Sequence, residues 1–577
     1  MGIALIKPEQ AVSMHSNKMV KALNAAKSDK DVERCFMELV REYFRYYCER
    51  STIHCVRYLY DPRLHNVERF IWSVLLIISV TLCCSFYMLL SERYGAQKLQ
   101  TVIDDSQYPV FYVQFPAVGV CTDNRINWSK LAAAKAQFLP VNASEDVVKV
   151  FTTLVTYLET LRFANFEHST SELEDEHLEI LDFINLSALA HFLTLRCEDI
   201  LVPGSCKWRQ SSFNCCDYFV LEKTEYGFCL VFNSELSDRS KEIKKREGAA
   251  YYPKHNAKAG QSSGLNFNLL LDERFKRPDT SATDNVFIMI KKPNQVSNAV
   301  YSITPNTETH VSVRPLLTRT DNTTRNIPPE RRNCHFTDEH VDFGISVAPG
   351  RFSKSFLLSN CLNNCHESYL VKLCNCTLPI FFLSNQKANN CTASSLRCIS
   401  RHNDIFGYDK HLEEDNYFSA TKPGMTCPCL VNCNLLEYYT STTTLPLSSR
   451  ELPASPTLKF FKVDVHYQVE MMITFRTSLE FSSIDLIANL GGIFGLCLGA
   501  SMVSCVELLY FLTVGFALHL YDNNYYVVFR KKLKAIGSKG LRYLRNEVSH
   551  VHQEAGPSVS LAKSKLRHPF NHRTNAW

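Results

Sequence analysis

Over residues 486–520 the chain carries one formal charge, Glu507, and the stretch exceeds the roughly 20 residues that a helix needs to cross a bilayer. Such a segment must be a transmembrane span. Glycines 491, 495 and 499 fall four apart on one helical face, where they permit close backbone approach or local unwinding. Asn489, Ser501, Ser504 and Glu507 place polar groups at membrane depth, and such groups face protein or a water-filled cavity. Residues 485–520 therefore read as a pore-lining helix, with helix packing as the plainer role of the glycine face.

A second apolar run, residues 70–90, is uncharged throughout and bounded by Glu68-Arg69 and Glu92-Arg93. The charged lead in front of it is too long for a secretory signal, so both spans are expected to stay in the protein. The flank after the second span is basic (Arg530, Lys531, Lys532, Lys534, then Lys539, Arg542 and Arg545), the mark of a cytoplasmic end. Two spans then put both termini on that side. The expected plan is a cytoplasmic tail 1–69, a first transmembrane helix 70–90, an extracellular region 91–484, a second transmembrane helix 485–520 and a cytoplasmic tail 521–577, in the plasma membrane.

Cysteine usage supports this sidedness. Of 23 cysteines, 16 lie between Cys121 and Cys433, an even number in a compartment that permits disulfides. The other seven (Cys35, Cys48, Cys55, Cys83, Cys84, Cys497 and Cys505) fall in the amino-terminal tail or the spans. Glycosylation sequons at Asn127, Asn142, Asn185 and Asn322 lie in the same region; those at Asn375 and Asn390 have cysteine in the middle position and are set apart. A net charge of +5, with basic residues clustered beside the membrane, gives no sign of a nucleic-acid partner; membrane lipid is the expected neighbour. The charge runs 172–179 and 241–246 read as solvated faces.

Residues 108–120 and 462–470 have the alternating, β-branched and aromatic pattern of strands, and could form a sheet joining the two spans. Residues 144–200 look helical, with Val147, Val150, Phe151, Leu154, Leu158 and Leu161 at helical spacing; 236–262 and 317–333 read as loops. The densest cysteine group, Cys361-x3-Cys365-x8-Cys374-x-Cys376, Cys391-x6-Cys398 and Cys427-x-Cys429-x3-Cys433, is nearly palindromic, which suits two antiparallel segments stapled in nested order. A zinc site is the competing reading, disfavoured by the extracellular setting and the lack of a C-x2-C pair set. No metal or cofactor is expected.

Taken together, Phe115-Pro-Ala-Val-Gly-Val-Cys121, Gly227-Phe-Cys229-Leu-Val-Phe-Asn233, Cys361-x3-Cys365, Cys374-Asn-Cys376, Cys427-Pro-Cys429-x3-Cys433 and Gly499-Ala-Ser501 resemble the degenerin/epithelial sodium channel family, and most of all its insect pickpocket branch. The resemblance covers most of the chain. It implies a membrane α+β fold: two transmembrane helices flanking a large, hand-shaped, disulfide-rich extracellular domain with a central β-sheet and peripheral helices. It implies a homo- or heterotrimer with related subunits, selective for sodium as permeant ion, amiloride-sensitive and set in sensory or neuronal cells. It further implies the pairs Cys334–Cys433, Cys361–Cys429, Cys365–Cys427, Cys374–Cys398, Cys376–Cys391 and Cys121–Cys229; partners among Cys197, Cys206, Cys215 and Cys216 stay open.

By the same resemblance, Gly499, Ala500 and Ser501 match the selectivity motif, where small side chains let backbones converge so that oxygens replace water around a small cation. Ala488, Asn489 and Gly492 match the outer pore and gate, and Glu507 an inner acidic position that would form a ring of three charges or act as a hydrogen-bond partner. Relatives carry His-Gly before the first span, in a gating segment; here it is His54-Cys55. A side chain where backbone permissiveness is wanted costs on the order of 1 kcal/mol. Two readings stand side by side: Cys55 lowers opening and the subunit works in a heteromer, or neighbouring residues accommodate the cysteine without consequence.

Other classes fit less well. An ATP-gated two-span channel is disfavoured by the 16 ectodomain cysteines and the absence of clustered lysines to grip phosphates. A non-conducting receptor-like subunit is opposed by the polar residues along the second span. Enzyme motifs are absent: there is no phosphate-binding glycine loop, His-Glu-x-x-His or Gly-x-Ser-x-Gly. His335, His340 and His366 near the cysteines read as surface residues. The sequence does not identify an extracellular ligand or a gating stimulus.

Overall fold

A computed structural model describes residues 29–166, 177–277, 279–280, 282–339, 356–382, 388–410, 422–522 and 530. The basic flank beyond Arg530, the carboxyl tail 531–577, His340 and most of the 172–179 charge run lie outside the described residues. The chain divides into two compact units, one made of residues 1–97 and 481–577, the other of residues 98–480.

In the first unit, helix Asp29–Arg50 leads through a tight turn at Val56–Leu59 into helix Asn66–Gly95. The expected span 70–90 is the middle of this longer helix. It starts early because His65 caps it: the Val67 N–H donates to His65 Nδ1 and the His65 N–H to Glu68 Oε2, filling backbone groups a helix start leaves open. Phe70, Ile77, Met88 and Leu89 are all exposed, an apolar surface suited to lipid rather than to a soluble exterior. The second expected span is not one helix. It consists of Ser483–Leu498, Met502–Tyr510, a π-helical turn at Phe511–Gly515 and Phe516–Asp522. Asn66–Gly95 and Met502–Tyr521 are long and apolar enough to cross a membrane.

The second unit is built on two sheets. An eight-stranded sheet has Thr307–Thr320 at its centre, paired along one side with Leu435–Pro446 and on the other with Leu458–Tyr467 and then Met471–Leu479. Leu99–Pro109 joins Met471–Leu479 at one edge, and Leu265–Asp272 joins Leu458–Tyr467 toward the other. A five-stranded antiparallel sheet contains Ala117–Thr122, Val220–Thr224, Gly227–Phe232, Val286–Lys291 and Val300–Ile303. Period-two patterning drives the large sheet, whereas the strands Ala117–Thr122, Gly227–Phe232 and Val286–Lys291 are buried almost throughout. Leu265, Phe267 and Leu269, with Phe461, Val463 and Val465, turn to a shared core that Val118, Val120, Phe232 and Ile288 of the smaller sheet complete. The strands next to the spans in sequence are thus Leu99–Pro109 and Met471–Leu479. Residues 108–120 and 462–470 run largely into separate sheets, because Ala117–Thr122 is buried at every position instead of alternating.

A helical lobe packs around Phe151, Leu154, Leu158, Leu189, Leu193, Phe381 and Phe406. Its helices Glu145–Thr160 and Leu186–Leu193 start at Ser144 and Asn185, whose side chains accept the N–H groups of Val147 and Ala188. The segment expected as a loop at 236–262 contains helix Asp238–Glu247, and 317–320 belongs to the central strand, since their polar residues decorate exposed faces of regular elements.

Eight disulfides pair all sixteen cysteines of this unit. Those are Cys121–Cys229, Cys197–Cys216, Cys206–Cys215, Cys334–Cys433, Cys361–Cys429, Cys365–Cys427, Cys374–Cys398 and Cys376–Cys391. Cys361 and Cys365 lie one turn apart on helix Leu358–Cys374, facing an extended segment that carries Cys427 and Cys429 in reverse order. The two places among the described residues where cysteine sits near histidine with metal-like spacing, at His402 and His366, use disulfide sulfurs, which offer no thiolate. Asn142, Asn185 and Asn322 are exposed, but Asn127 is 1% exposed and its oxygen holds the Ser129 N–H, so a glycan does not fit at Asn127.

His335 and His366 are both buried, contrary to the surface reading, and His366 is held by two carboxylates. Its Nδ1 lies 2.9 Å from Glu225 Oε1 and its Nε2 3.0 Å from Asp409 Oδ1, with Phe163 stacked on the ring. Burial disfavours its charge, but the hydrogen bonds and charges of Asp409 and Glu225 prevail and push its pKa up to about 9. A raised pKa stabilises the fold fully below the ordinary value near 6.5, and that contribution fades as pH rises through about 9. The thermal midpoint of the full chain in detergent is expected to fall between pH 7 and pH 9.5, a change of up to about 3 kcal/mol. His366→Gln should flatten that slope; an equal slope in the variant would count against the clamp.

Candidate functional site at the helix break

The break in the second apolar segment is written by three residues. Helix Ser483–Leu498 closes at Gly499, whose φ of +60° lies in the left-handed region that an L side chain resists. The Gly499 N–H donates to Gly495 O at 3.0 Å and the Ala500 N–H to Phe494 O at 3.2 Å. Ser501 then starts the next helix: its Oγ accepts the Ser504 N–H while the Ser501 N–H donates to Ser504 Oγ at 3.1 Å. Glycine to end a helix and serine to begin one are recognisable sequence signals, and they are the physical reason that residues 485–520 form two helices and not one.

The segment before the first apolar helix fills the break. The His54 N–H donates to Leu498 O at 3.0 Å, occupying a carbonyl that the helix end leaves without an internal partner. The His54 ring lies so close to Gly499 that any added Cβ would overlap it. Thr52 Oγ1 donates to Glu507 Oε2 at 2.5 Å and lies 3.1 Å from Ser504 Oγ, so Glu507 is held by a hydroxyl from outside its own helix. Cys55 has a φ of 69°, the left-handed conformation in which a side chain is strained, and it leads straight into the turn Val56–Leu59.

A further tie sits one turn on. The π-helical turn Phe511–Gly515 disturbs the regular backbone ladder, and the Tyr43 hydroxyl donates to Phe511 O. A Cβ at Gly515 would lie 3.0 Å from that hydroxyl oxygen. Thr52 and Tyr43 were not singled out from sequence, because nothing local in either residue points to a partner more than 450 positions away.

The remaining expected site residues lie on the first half-helix. Ala488, Asn489 and Gly492 are exposed, and Asn489 Nδ2 donates to Asp485 O of its own helix at 2.7 Å. Side chains built at Gly491, Gly492 and Gly495 would meet nothing within 4 Å. Within one chain this small-residue face is therefore bare, while Gly499, one step further along it, serves the break.

Two apolar helices, a disulfide-rich unit carried between them in sequence, and a second apolar segment broken at Gly-Ala-Ser define a class of membrane protein. The sequence pattern described as amiloride-sensitive sodium channel matches residues 47–511. This chain belongs to the amiloride-sensitive sodium channel family, the degenerin/epithelial sodium channel family that its motifs resemble. Pickpocket protein 19 of Drosophila melanogaster is 32% identical over 464 residues, covering 80% of this chain and 88% of that protein. Sodium channel protein Nach of Drosophila melanogaster is 24% identical over 507 residues (83% and 88%), and acid-sensing ion channel 1A of Danio rerio 21% identical over 487 residues (80% and 86%). Among solved structures, a proton-activated chloride channel aligns at 9% identity with a TM-score of 0.26, over 76% of this chain and 98% of that one.

The packing of His54 against Gly499 makes a two-sided test. Gly499→Ala is expected to cut current at least about tenfold at unchanged surface labelling, from backbone strain and overlap with the ring. His54→Ala in the same chain removes the overlapping ring and should restore part of that current; no restoration would mean that the ring is not what Gly499 accommodates.

Proposed function

We propose that this chain is a subunit of a trimeric, sodium-selective, amiloride-sensitive cation channel of the plasma membrane, acting in sensory or neuronal cells. Both termini are cytoplasmic and residues 91–484 extracellular. The observation that carries the reading is the break at Gly499-Ala500-Ser501, flanked by a helix face of Ala488, Gly491, Gly492 and Gly495 with nothing packed on it. Small residues let the same face of several copies approach closely, and a break exposes carbonyl and hydroxyl oxygens that can replace a cation's water. Glu507 and Asn489 then lie below and above that point, an inner acidic ring and a neutral outer position.

Ala488→Val tests the pore. A bulkier side chain on the bare face blocks closure, so a standing current is expected, carried by sodium in preference to potassium and blocked by amiloride. Surface protein with no current would remove support for a homomeric pore.

The left-handed Cys55 favours a second reading, in which the subunit opens poorly alone and conducts as part of a heteromer. Glycine at this position relieves strain of on the order of 1 kcal/mol, about fivefold in an equilibrium constant. Cys55→Gly is expected to raise homomeric current up to about that factor; unchanged current in labelled surface protein would leave Cys55 without a gating role.

A further inference from the structure

Where strands Leu265–Asp272, Leu458–Tyr467 and Thr307–Thr320 run side by side, one face of the large sheet forms the core and the other is polar. The polar face carries Asn266 and Asn268, then Lys462, Asp464 and His466, then Glu308, His310 and Ser312. Register sets Lys207, Asn266, Asp464 and His310 in one row across four strands. With strands about 4.8 Å apart, the backbones of Lys207 and Asp464 stand about 10 Å from each other.

Asp464 is 4% exposed. Its Oδ2 takes hydrogen bonds from the Ser262 N–H at 3.1 Å, from His466 Nδ1 at 3.1 Å and from His310 Nδ1 at 3.2 Å. Its Oδ1 is buried and has no hydrogen-bond partner among the described residues. A buried carboxylate oxygen without a donor is costly, and the same carboxylate lines a polar cleft of about 630 Å³. Lys207, Gln210, Asn266, Asn268, Glu308 and Lys462 are among the other residues that line it. That volume falls within the roughly 300–1,000 Å³ of small-molecule sites.

The lining decides the ligand's charge. A simple cation on Asp464 would share the cleft with Lys207 and Lys462, and a simple anion on Lys207 would share it with Asp464 and Glu308. A ligand carrying both charges satisfies both ends. Lys462 is engaged by Glu451, whereas Lys207 is exposed on a flexible stem that can reach along the row. The carboxamides between the charged ends offer donors and acceptors to a polar side chain.

We propose that this cleft is a binding site for a small zwitterion of the α-amino-acid class, with its ammonium group at the Asp464 side of the cleft and its carboxylate on Lys207. The site lies wholly within the disulfide-rich unit, and its occupancy does not depend on whether the chain conducts.

Calorimetric titration of the full chain in detergent tests this, with L-glutamine as probe and methylammonium and acetate as its two charged halves. L-Glutamine should bind, each half at least about tenfold more weakly, since each lacks one charge-assisted contact. Lys207→Ala should weaken glutamine binding about tenfold without moving the melting temperature of the unliganded chain, and Asp464→Asn should abolish it. The proposal is overturned if glutamine gives no binding at millimolar concentration, if methylammonium binds as tightly as glutamine, or if Lys207→Ala binds as wild type. The exposed Lys207 keeps the test decisive should Asp464→Asn fail to fold.

Discussion

The unit that carries the two apolar segments depends on one backbone problem: how to stop an apolar helix at Gly499 and start another at Met502 without stranding polar groups. In lipid an unsatisfied carbonyl or N–H costs several kcal/mol, so irregular backbone survives only where protein or a water-filled cavity meets it. Here the helix end is closed by Gly499 and Ala500 N–H groups, the next start by the Ser501 and Ser504 side chains, and Leu498 O by the His54 N–H. The glycine is needed twice, for its positive φ and for the absence of a Cβ against the His54 ring. The segment preceding the first span is thus part of the break itself. Thr52 on Glu507 and Tyr43 on Phe511 extend the same arrangement toward the end of the second span.

The other unit solves a different problem. Its long polar stretches are organised by covalent links: closing loops with sequence separations of 62 to 108 residues removes about 4–5 kcal/mol of unfolded-state entropy each in the chain-entropy model. Between the links, charged groups are buried in compensated sets, such as Lys291 with Glu222 and His366 with Glu225 and Asp409. Asp464 stands apart, with one oxygen fully engaged and the other unpartnered beside a cleft.

Much of this was legible in the sequence, for identifiable reasons. Long uncharged runs announce helices at 66–95 and 483–522 because hydrophobicity alone selects them. The nearly palindromic cysteines reflect a helix laid antiparallel to an extended segment, which puts Cys361 opposite Cys429 and Cys365 opposite Cys427. Gly499 and Ser501 stand out in the sequence as a small-residue motif, but the surrounding apolarity suggests a continuous helix and hides their roles as helix stop and start. Asn127 and His366 were misjudged for one reason: a polar residue reads as exposed until its partners are known, and theirs include Ser129, Glu225 and Asp409. Thr52, Tyr43 and the row through Asp464 were invisible because each depends on register or on contacts across hundreds of residues.

If cations are selected at Gly499-Ala500-Ser501, as proposed, the segment before the first span shapes the selectivity of the pore. The sodium-to-potassium permeability ratio, taken from reversal potentials of a conducting assembly containing His54→Ala, tests it most directly. Loss of the ring that lies against Gly499 should lower that ratio while surface protein stays constant. A ratio equal to wild type, with current merely smaller, would contradict the account and leave His54 a role in opening alone.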